Sequence, residues 1–146
     1  MESSEAFRLR VPINPSAADI DALGHVNNAV YVRWLQEAGT AHWLGLATPA
    51  ELERWIWLVA RHEIDYRRPC HLGDSIVAET WVDRPRGARF DRCVRILGPG
   101  DEVRAEARTT WVLVDQVSLK PARIPAEMIR RFFQEKVLAA GVPAQG

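Results

Sequence analysis

The sequence predicts an α+β fold in which an antiparallel sheet of about five strands curls around one long helix. One long segment carries apolar residues around most of its circumference, which is typical of a helix that is buried on most sides. Five other segments are short, with apolar residues at alternate positions or many Val, Thr and Trp residues, as in strands. Four of these follow the helix and are joined by short turns, which favours antiparallel pairing on one sheet.

The first strand and the long helix are predicted in the N-terminal third. From Phe7 to Ile13, apolar residues alternate with polar ones, so this segment is predicted to be a half-buried strand. Turn-forming residues predict a loop from Asn14 to Gly24. The long helix is then predicted from about Asn27 to Gly45, and Pro49 to Arg54 is predicted to form a short helical turn on the surface.

After this turn the apolar pattern changes to a period of two. We predict strands at Ile56–Tyr66, Ser75–Asp83, Arg89–Leu97 and Glu102–Asp115, the last of them central in the sheet because it is rich in Val, Thr and Trp. One face of the first of these strands is expected to carry Ile56, Leu58, Ala60, His62, Ile64 and Tyr66.

An amphipathic helix from Ile124 to Val137 is predicted to end the fold, with Pro125 in its first turn. The chain has 146 residues, which is the size of one domain. We expect a single domain over residues 1–146 with a core at about 7–133, frayed residues 1–6 and a flexible tail at about 139–146.

Composition argues against several classes of function. The 19 basic and 19 acidic residues balance, so no net field attracts nucleic acid or an anionic membrane. All but Lys120 and Lys136 of the basic residues are arginine, which suits an anionic ligand but equally a GC-rich genome. No signal peptide or long apolar run is visible, so we expect a cytoplasmic protein. The two cysteines are expected to be free, and the histidine spacing predicts no metal site.

The segment from Asp19 to Tyr31 carries the strongest chemical signal. It places Asp21 in a loop a few residues before the long helix begins. The first turn of a helix has backbone N–H groups without partners and the positive end of the helix dipole. Such a turn can hold a carbonyl oxygen that gains negative charge while a carboxylate acts beside it. A thioester fits this arrangement, because a thiol with a pKa near 8.5 leaves without strong acid assistance.

Three blocks of sequence resemble those of hot-dog thioesterases of the 4-hydroxybenzoyl-CoA thioesterase type, which include bacterial acyl-CoA thioesterases. The first block is D-x-D-x-x-G-H-V-N-N-x-x-Y from Asp19 to Tyr31, and the second is I-x-Y-x-x-P-x-x-x-G-D from Ile64 to Asp74. The third is Ala105 to Asp115 followed by Arg123-Ile124-Pro125. The resemblance spans Phe7 to Phe133 and implies a hot-dog fold and hydrolysis of an acyl-CoA to a free acid and CoA. It implies no cofactor, since CoA is part of the substrate.

The resemblance also implies roles for individual residues. Asp21 matches the family's catalytic aspartate, acting either as a general base or as a nucleophile that forms a mixed anhydride. The backbone amide of Asn28 matches the group that polarises the thioester carbonyl. His25 is the third catalytic candidate. The residues alone also allow purely structural roles. Asp21 could cap the approach to the helix, and His25 could fix the loop. The side chains of Asn27 and Asn28 could cap the helix.

Predicted substrate contacts lie outside the loop. Tyr31 is expected to pack in the core and touch the acyl pocket, and Arg89 and Arg92 are expected to meet the phosphates of CoA. The alternative for the arginines, and for Arg86 and the region of Arg123, is a solvated charged face. Two other candidates are weaker: Glu37, because some hot-dog thioesterases use a helix glutamate as base, and His62, which the pattern makes a hydrogen-bonded core residue.

Several alternatives of function and assembly stay open. H-V-N-N resembles the motif of plant acyl-ACP thioesterases, although Leu23 stands where they use asparagine. A hot-dog hydratase is disfavoured because Asp21 and His25 are four residues apart rather than five, and a non-catalytic acyl-CoA-binding protein is the third possibility. A homodimer or homotetramer is expected, because one curled sheet leaves strand edges unprotected. The predicted seam is an edge strand within Ser75–Leu97 or the strand that begins at Ile56.

Overall fold

The computed structural model describes residues 7–134, and the predicted helices and strands are all present in it. In chain order they are β1 (Leu9–Ile13), α1 (Asn28–Leu46), α2 (Pro49–Arg54), β2 (Trp55–Tyr66), β3 (Ile76–Val82), β4 (Arg89–Leu97), β5 (Val103–Asp115) and α3 (Ala126–Phe132). The predicted start of the last helix is two residues early, because Pro125 stands before the first turn in an extended conformation. The predicted frayed start, the tail and the last residues of the predicted closing helix lie outside the described residues.

The five strands form one antiparallel sheet in the order β1-β3-β4-β5-β2. The prediction of an antiparallel sheet of five strands with one long helix is therefore confirmed. β5 lies inside the sheet as predicted, between β4 and β2. β3 and β4 are also interior strands, so the prediction of a seam within Ser75–Leu97 is wrong: their backbone groups are already paired on both sides. Of the two predicted seams, only β2 is an edge strand.

A β-bulge at Ala60 divides β2 into two halves. Odd-numbered residues point to the core in the first half and even-numbered residues in the second. Val59 pairs with Trp111 and Arg61 with Thr110, so Ala60 is an extra residue between them. An extra residue reverses which side chains point to each face beyond it. Trp57 therefore packs into the core on the same face as His62, whereas Leu58 is exposed. The prediction that Leu58 shares the face of His62 is wrong for this reason.

α1 begins at a well-formed N-cap and packs on one face of the sheet. The Asn27 side-chain Oδ1 accepts a hydrogen bond from the N–H of Ala29 at 2.9 Å, which satisfies one of the unpaired amides at the helix start. Trp34, Leu35 and Ala38 on the inner side of α1 are buried. The helix packs most closely against β1, β3 and β4, and two cavities lie along its side that faces β2.

An aromatic cluster closes the end of the fold beyond the C-terminal half of α1. Phe132 of α3 lies 5.1 Å from Phe90 and Trp57 lies 4.8 Å from Phe90, measured between ring centroids. Buried Met128 and Leu113 belong to the same cluster. α3 thus covers one end of the sheet, while the loop before α1 lies at the other. None of the helices within residues 7–134 has the length and apolar character needed to cross a membrane.

Candidate active site

The loop that carries Asp21 is a tight turn held by its own backbone. The N–H of Asp21 donates to the carbonyl oxygen of His25 at 2.7 Å, and the N–H of Gly24 donates to the carbonyl oxygen of Asp21 at 3.0 Å. Gly24 has a φ of 82°, a left-handed conformation that residues with a Cβ adopt only at a cost. The turn explains why a glycine stands between the acid and the histidine.

The Asp21 carboxylate is held at one oxygen and free of described partners at the other. Oδ1 accepts hydrogen bonds from the backbone N–H groups of Leu23 at 2.9 Å and His25 at 3.1 Å. Among residues 7–134, no hydrogen bond reaches Oδ2. The side chain is half-buried and lines a cavity at the N-terminus of α1. The turn therefore orients a carboxylate and leaves one oxygen available for chemistry.

Asp19, the first acid of the motif, has a different environment. Its carboxylate is buried, accepts a hydrogen bond from the backbone N–H of Ser16 at 2.9 Å, and binds the Arg33 guanidinium at 3.1 and 3.2 Å. The Ser16 amide and then Arg33 hold the pKa of Asp19 below its usual range against the opposing effect of burial. Both oxygens are engaged, so Asp19 serves to fix the loop.

The first backbone amide of α1, that of Asn28, has no acceptor among the described residues. Asn27 satisfies two of the next residues: its side chain accepts from the N–H of Ala29 and its carbonyl accepts from the N–H of Val30. The Asn28 amide stands at the positive end of the helix dipole, and Asn28 lines the same cavity as Asp21.

The opposite wall of the cavity is the end of β2 and the segment after it, which three hydrogen bonds tie to α1 and to the loop before α1. The Tyr66 hydroxyl donates to the carbonyl oxygen of Asn28 at 3.1 Å, and the N–H of Cys70 donates to the Tyr31 hydroxyl at 3.2 Å. The N–H of Val26 donates to the carbonyl oxygen of Cys70 at 2.8 Å. Burial raises the pKa of Tyr31, so its hydroxyl stays protonated and holds this wall in place.

Arg104 of β5 supports the wall from behind. Its guanidinium donates to the carbonyl oxygen of Pro69 at 2.7 Å and to the Asp74 carboxylate at 3.1 Å. Its own carbonyl oxygen accepts from the N–H groups of Arg67 and Arg68. Gly98 makes room for this side chain, because a Cβ at that position would collide with the Arg104 guanidinium.

The cavity brings four of the predicted site residues together. Its volume is about 430 Å³, and its walls are formed by Asp21, Leu23, His25, Val26, Asn27, Asn28, Tyr31, Tyr66, Arg67, Arg68 and Pro69. The exposed side chains of Arg67 and Arg68 also pair with Glu106 at 3.2 Å and Glu102 at 3.3 Å. Tyr66, Arg67 and Arg68 belong to the second sequence block. The spacing of that block indicated the fold but did not predict that these three residues line the site.

His25 contributes to the loop mainly through its backbone. Its N–H and carbonyl oxygen bind the carboxylate and the N–H of Asp21, and its ring meets His71 edge-on with centroids 5.3 Å apart. Glu37 lies elsewhere, exposed on α1 and paired with Arg33 at 3.4 Å. His62 Nδ1 is hydrogen-bonded to Thr109 Oγ1 at 2.8 Å, as predicted for a core histidine.

The two predicted phosphate-binding arginines do not line this cavity. Arg89 is exposed at the start of β4. Tyr66, which borders the cavity, pairs with Ala105 of β5, and Ala105 pairs with Ile96, seven residues after Arg89 on β4. At about 3.4 Å per residue Arg89 lies about 24 Å from that end of the sheet, so its contact with the substrate stays a prediction.

The prediction that Arg92 contacts CoA phosphates requires correction. Arg92 points to the inner face of β4 and is only 2% exposed. It donates to His42 and Thr80 inside the fold. The prediction failed because the many arginines of this segment suggested a charged surface. The even-numbered residues of β4, Arg92 among them, all point inwards.

Cysteines and metal ligands give no further site. Cys70 and Cys93 are free thiols, as predicted. No cluster of three or more His, Cys, Asp or Glu side chains suited to a metal ion occurs between residues 7 and 134.

Comparison with known proteins places this geometry in a family. The model of the thioesterase-like superfamily matches residues 15–132. YneP of Bacillus subtilis is 30% identical over 107 residues, covering 71% of this chain and 78% of YneP. The acyl-CoA thioester hydrolase YbgC of Escherichia coli is 28% identical over 130 residues, covering 86% of this chain and 96% of YbgC.

A solved structure agrees with the sequence relatives. The thioesterase of Thermus thermophilus, crystallised with coenzyme A and Zn, superposes with a TM-score of 0.72 at 26% identity, covering 84% of this chain and 95% of that chain. The predicted resemblance to hot-dog thioesterases is confirmed. The chain belongs to the thioesterase-like superfamily, a family of thioester hydrolases.

Proposed function

We propose that the chain hydrolyses an acyl-CoA to a free carboxylic acid and CoA in the cavity at the N-terminus of α1. Asp21 is the catalytic carboxylate, and the backbone N–H of Asn28 binds the thioester carbonyl oxygen. One observation carries the proposal: Asp21, whose Oδ2 has no described hydrogen-bond donor, and Asn28, whose N–H has no described acceptor, line the same cavity.

The environment of Asp21 supports a catalytic role. Two backbone amides hold its Oδ1, so Oδ2 keeps a defined direction, and no cation among residues 7–134 pairs with it. A general base must lie within hydrogen-bond reach of the water it activates, and a nucleophile must reach the carbonyl carbon. Oδ2 is suited to either step. Asp19, by contrast, is occupied by Arg33 and Ser16.

The Asn28 amide supports stabilisation of the transition state. When water or Asp21 adds to the thioester carbonyl, negative charge develops on the carbonyl oxygen. A fixed N–H donor at a helix N-terminus stabilises this charge without reorganising. Removing a single donor of this kind from other enzymes costs about 10²–10³ in kcat.

The chemistry of the substrate makes this small set of groups sufficient. A thiol such as the cysteine side chain has a pKa of about 8.5, so the thiol of CoA can depart as thiolate once the tetrahedral adduct collapses. No cofactor is needed, because CoA is itself the leaving group. We propose that His25 positions the Asp21 carboxylate through its backbone rather than transferring a proton, and that Tyr31 forms a wall of the acyl site.

CoA as carrier is supported by the names of relatives and by the charge at the rim of the cavity. YbgC is named an acyl-CoA thioester hydrolase, and the Thermus thermophilus structure contains coenzyme A. Arg67 and Arg68 are exposed where the cavity opens, and guanidinium groups bind phosphates well. We propose these two arginines, rather than Arg92, for the CoA phosphates.

We further propose a homo-oligomer assembled through β2. An unpaired edge strand is a site for strand addition, and β2 runs for twelve residues with exposed Leu58 on its outer face. Pairing two copies of β2 would bring a second subunit beside the cavity, which Tyr66 borders at the end of β2. A fully active monomer in light scattering at micromolar concentration would contradict this assembly.

The proposed activity is tested by thiol release from a panel of acyl-CoA thioesters, from acetyl through palmitoyl to aromatic acyl groups. The expected result is steady-state turnover of at least one acyl-CoA. The same acyl groups attached to acyl carrier protein test the alternative that the H-V-N-N segment suggests. Faster turnover of the acyl carrier protein thioesters would show that acyl carrier protein, not CoA, is the preferred carrier. Tight binding without turnover of any thioester would identify a non-catalytic binding protein.

A further inference from the structure

A second cavity lies beside the C-terminal half of α1, separate from the proposed thioester site. It has a volume of about 330 Å³ and lies between α1, β2 and the aromatic cluster. Gly39 of α1 borders it, eleven residues after Asn28, which is about 17 Å along the helix at about 1.5 Å per residue. The size is at the lower end of ligand sites, roughly 300–1,000 Å³, so it suits one aromatic ring or a short aliphatic chain.

The walls of this cavity are mostly aromatic. Trp43, Trp57, Phe90 and Phe132 line it, and the rings of Trp43 and Trp57 meet edge-on with centroids 5.7 Å apart. Large flat side chains offer apolar contact area at low entropic cost. The body of a ligand bound here is therefore apolar.

A buried arginine gives the cavity a positive charge. Arg92 is 2% exposed and lines the cavity. Its Nη1 donates to Thr80 Oγ1 and to His42 Nδ1, both at 3.0 Å, and both acceptors are neutral groups. Burial, followed by the neighbouring Arg92, holds the pKa of His42 well below its usual range. Burial lowers the pKa of Arg92 to about 9, which still leaves the guanidinium charged at neutral pH.

No described residue supplies the missing negative charge. None of the residues that line the cavity is acidic. Asp91, the neighbour of Arg92 on β4, points to the other face of the sheet and binds Arg108 and Thr110. A buried charge without a counter-ion is costly. Arg92 is therefore a buried cation for which the described residues provide no anion.

Three residues that line the cavity carry buried hydrogen-bond donors without a partner in the described part of the chain. Arg92 Nε and the indole N–H groups of Trp57 and Trp111 are buried and have no acceptor among residues 7–134. All three side chains line the cavity. Gly39 allows this approach, because a Cβ there would lie 3.2 Å from both Arg92 Nε and the Trp111 ring. Buried donors without acceptors are rare in folded proteins, and three at one cavity indicate a ligand that accepts.

We propose that this cavity binds an apolar carboxylic acid in its ionised form. Its carboxylate receives hydrogen bonds from Arg92 and the two indole N–H groups, and its body packs among the aromatic rings. The same chemistry has two sources: a free acid, or the distal carboxylate of a dicarboxylic acyl thioester. Only the second source depends on the proposed thioesterase function.

The free acid is tested by titrating the protein with 4-phenylbutyrate and with 4-phenylbutanol, which has a neutral hydroxyl in place of the carboxylate. Tryptophan fluorescence reports binding, since four of the six tryptophans, Trp43, Trp55, Trp57 and Trp111, line the cavity. The expected result is at least tenfold tighter binding of the acid. The second source is tested by comparing kcat/KM for tetradecanedioyl-CoA and tetradecanoyl-CoA, whose acyl chains are long enough to span the separation of about 17 Å between Asn28 and Gly39; a preference for the diacid supports it. No preference in either comparison overturns the proposal.

Variants locate the binding. Arg92→Met should abolish the preference for the acid, whereas Arg95→Met, on the same strand but on the opposite face, should retain it. Because Arg92 is buried and its loss threatens folding, Trp57→Phe provides a second test that removes one donor and keeps an aromatic ring. Trp57→Phe should weaken the binding of 4-phenylbutyrate more than the binding of 4-phenylbutanol. An unchanged preference in a folded Arg92→Met or in Trp57→Phe would overturn the assignment.

Discussion

Replacing Asn28 by proline isolates the backbone donor of the proposed site. Proline removes the N–H and is tolerated at the first position of a helix, where that N–H has no intrahelical acceptor. Asn28 is the first residue of α1, and Asn27 before it is extended, with φ −61° and ψ 136°. This conformation is the one that a residue preceding proline favours. The substitution therefore removes the donor and leaves the helix in place.

The magnitude follows from the single donor that is lost. We expect kcat to fall about 10²–10³-fold, about 2.7–4 kcal/mol of transition-state stabilisation. The free energy of unfolding should change by less than about 1 kcal/mol, because no protein hydrogen bond of that amide is broken. The assay is thiol release from the best acyl-CoA, with kcat and KM determined separately and urea denaturation as the stability measurement.

Asn28→Ala is the matched control, because it removes the side chain and keeps the amide. It should retain most of the wild-type kcat. If Asn28→Pro folds and keeps more than a tenth of the wild-type kcat, the amide is not the oxyanion donor. If the alanine variant loses as much activity as the proline variant, the side chain acts instead of the backbone.

Three further predictions concern the loop and its support. His25→Ala keeps both backbone hydrogen bonds to Asp21 and loses only the ring contact with His71, so it should change the melting temperature little and leave the shape of the pH–rate profile unchanged; loss of one limb of that profile would assign His25 to proton transfer. Gly98→Ala forces Arg104 to move and should destabilise the fold by about 1–3 kcal/mol in urea denaturation. Because the Ser16 amide lowers the pKa of Asp19, its contribution to stability is present above about pH 3.8 and is lost as pH falls through the lowered pKa. Asp19→Asn should therefore reduce the loss of stability on acidification, and an unchanged acid dependence would contradict this.

Much of the fold was predictable because the period of apolar residues follows from packing. The apolar coat of α1 predicted its bounds to within about one residue, and the alternation in β4 predicted Arg89–Leu97 as the structure has it. The bulge at Ala60 was not predictable in this way. Trp57 and Leu58 are both apolar, so nothing in the pattern of β2 shows where the alternation reverses.

Strand order depends on contacts far apart in the sequence, which explains the error about the seam. Short turns predicted that β3 and β4 are neighbours, and they are. The return of β1 to pair with β3 makes β3 interior and leaves β2 at an edge. No local pattern in Ser75–Leu97 distinguishes an edge strand from an interior one that carries charged residues on its outer face.

The candidate site was predictable where one segment supplied it and not where distant segments meet. Asp21, His25 and Asn28 lie within eight residues, and the turn before α1 brings them to one cavity. Tyr66 reaches the same cavity only because β2 ends beside α1. Arg92 illustrates the limit of composition: an arginine is expected at the surface, and only its position in the sheet shows that it is buried.

The kcat of Asp21→Asn on the best acyl-CoA decides whether Asp21 performs the chemistry. The amide has nearly the same shape and its oxygen can still accept from Leu23 and His25, so circular dichroism and melting temperature should match the wild type. We expect kcat to fall at least about 100-fold, with Glu37→Gln retaining full activity as a control. A folded Asp21→Asn protein that keeps more than a tenth of the wild-type kcat would contradict this expectation.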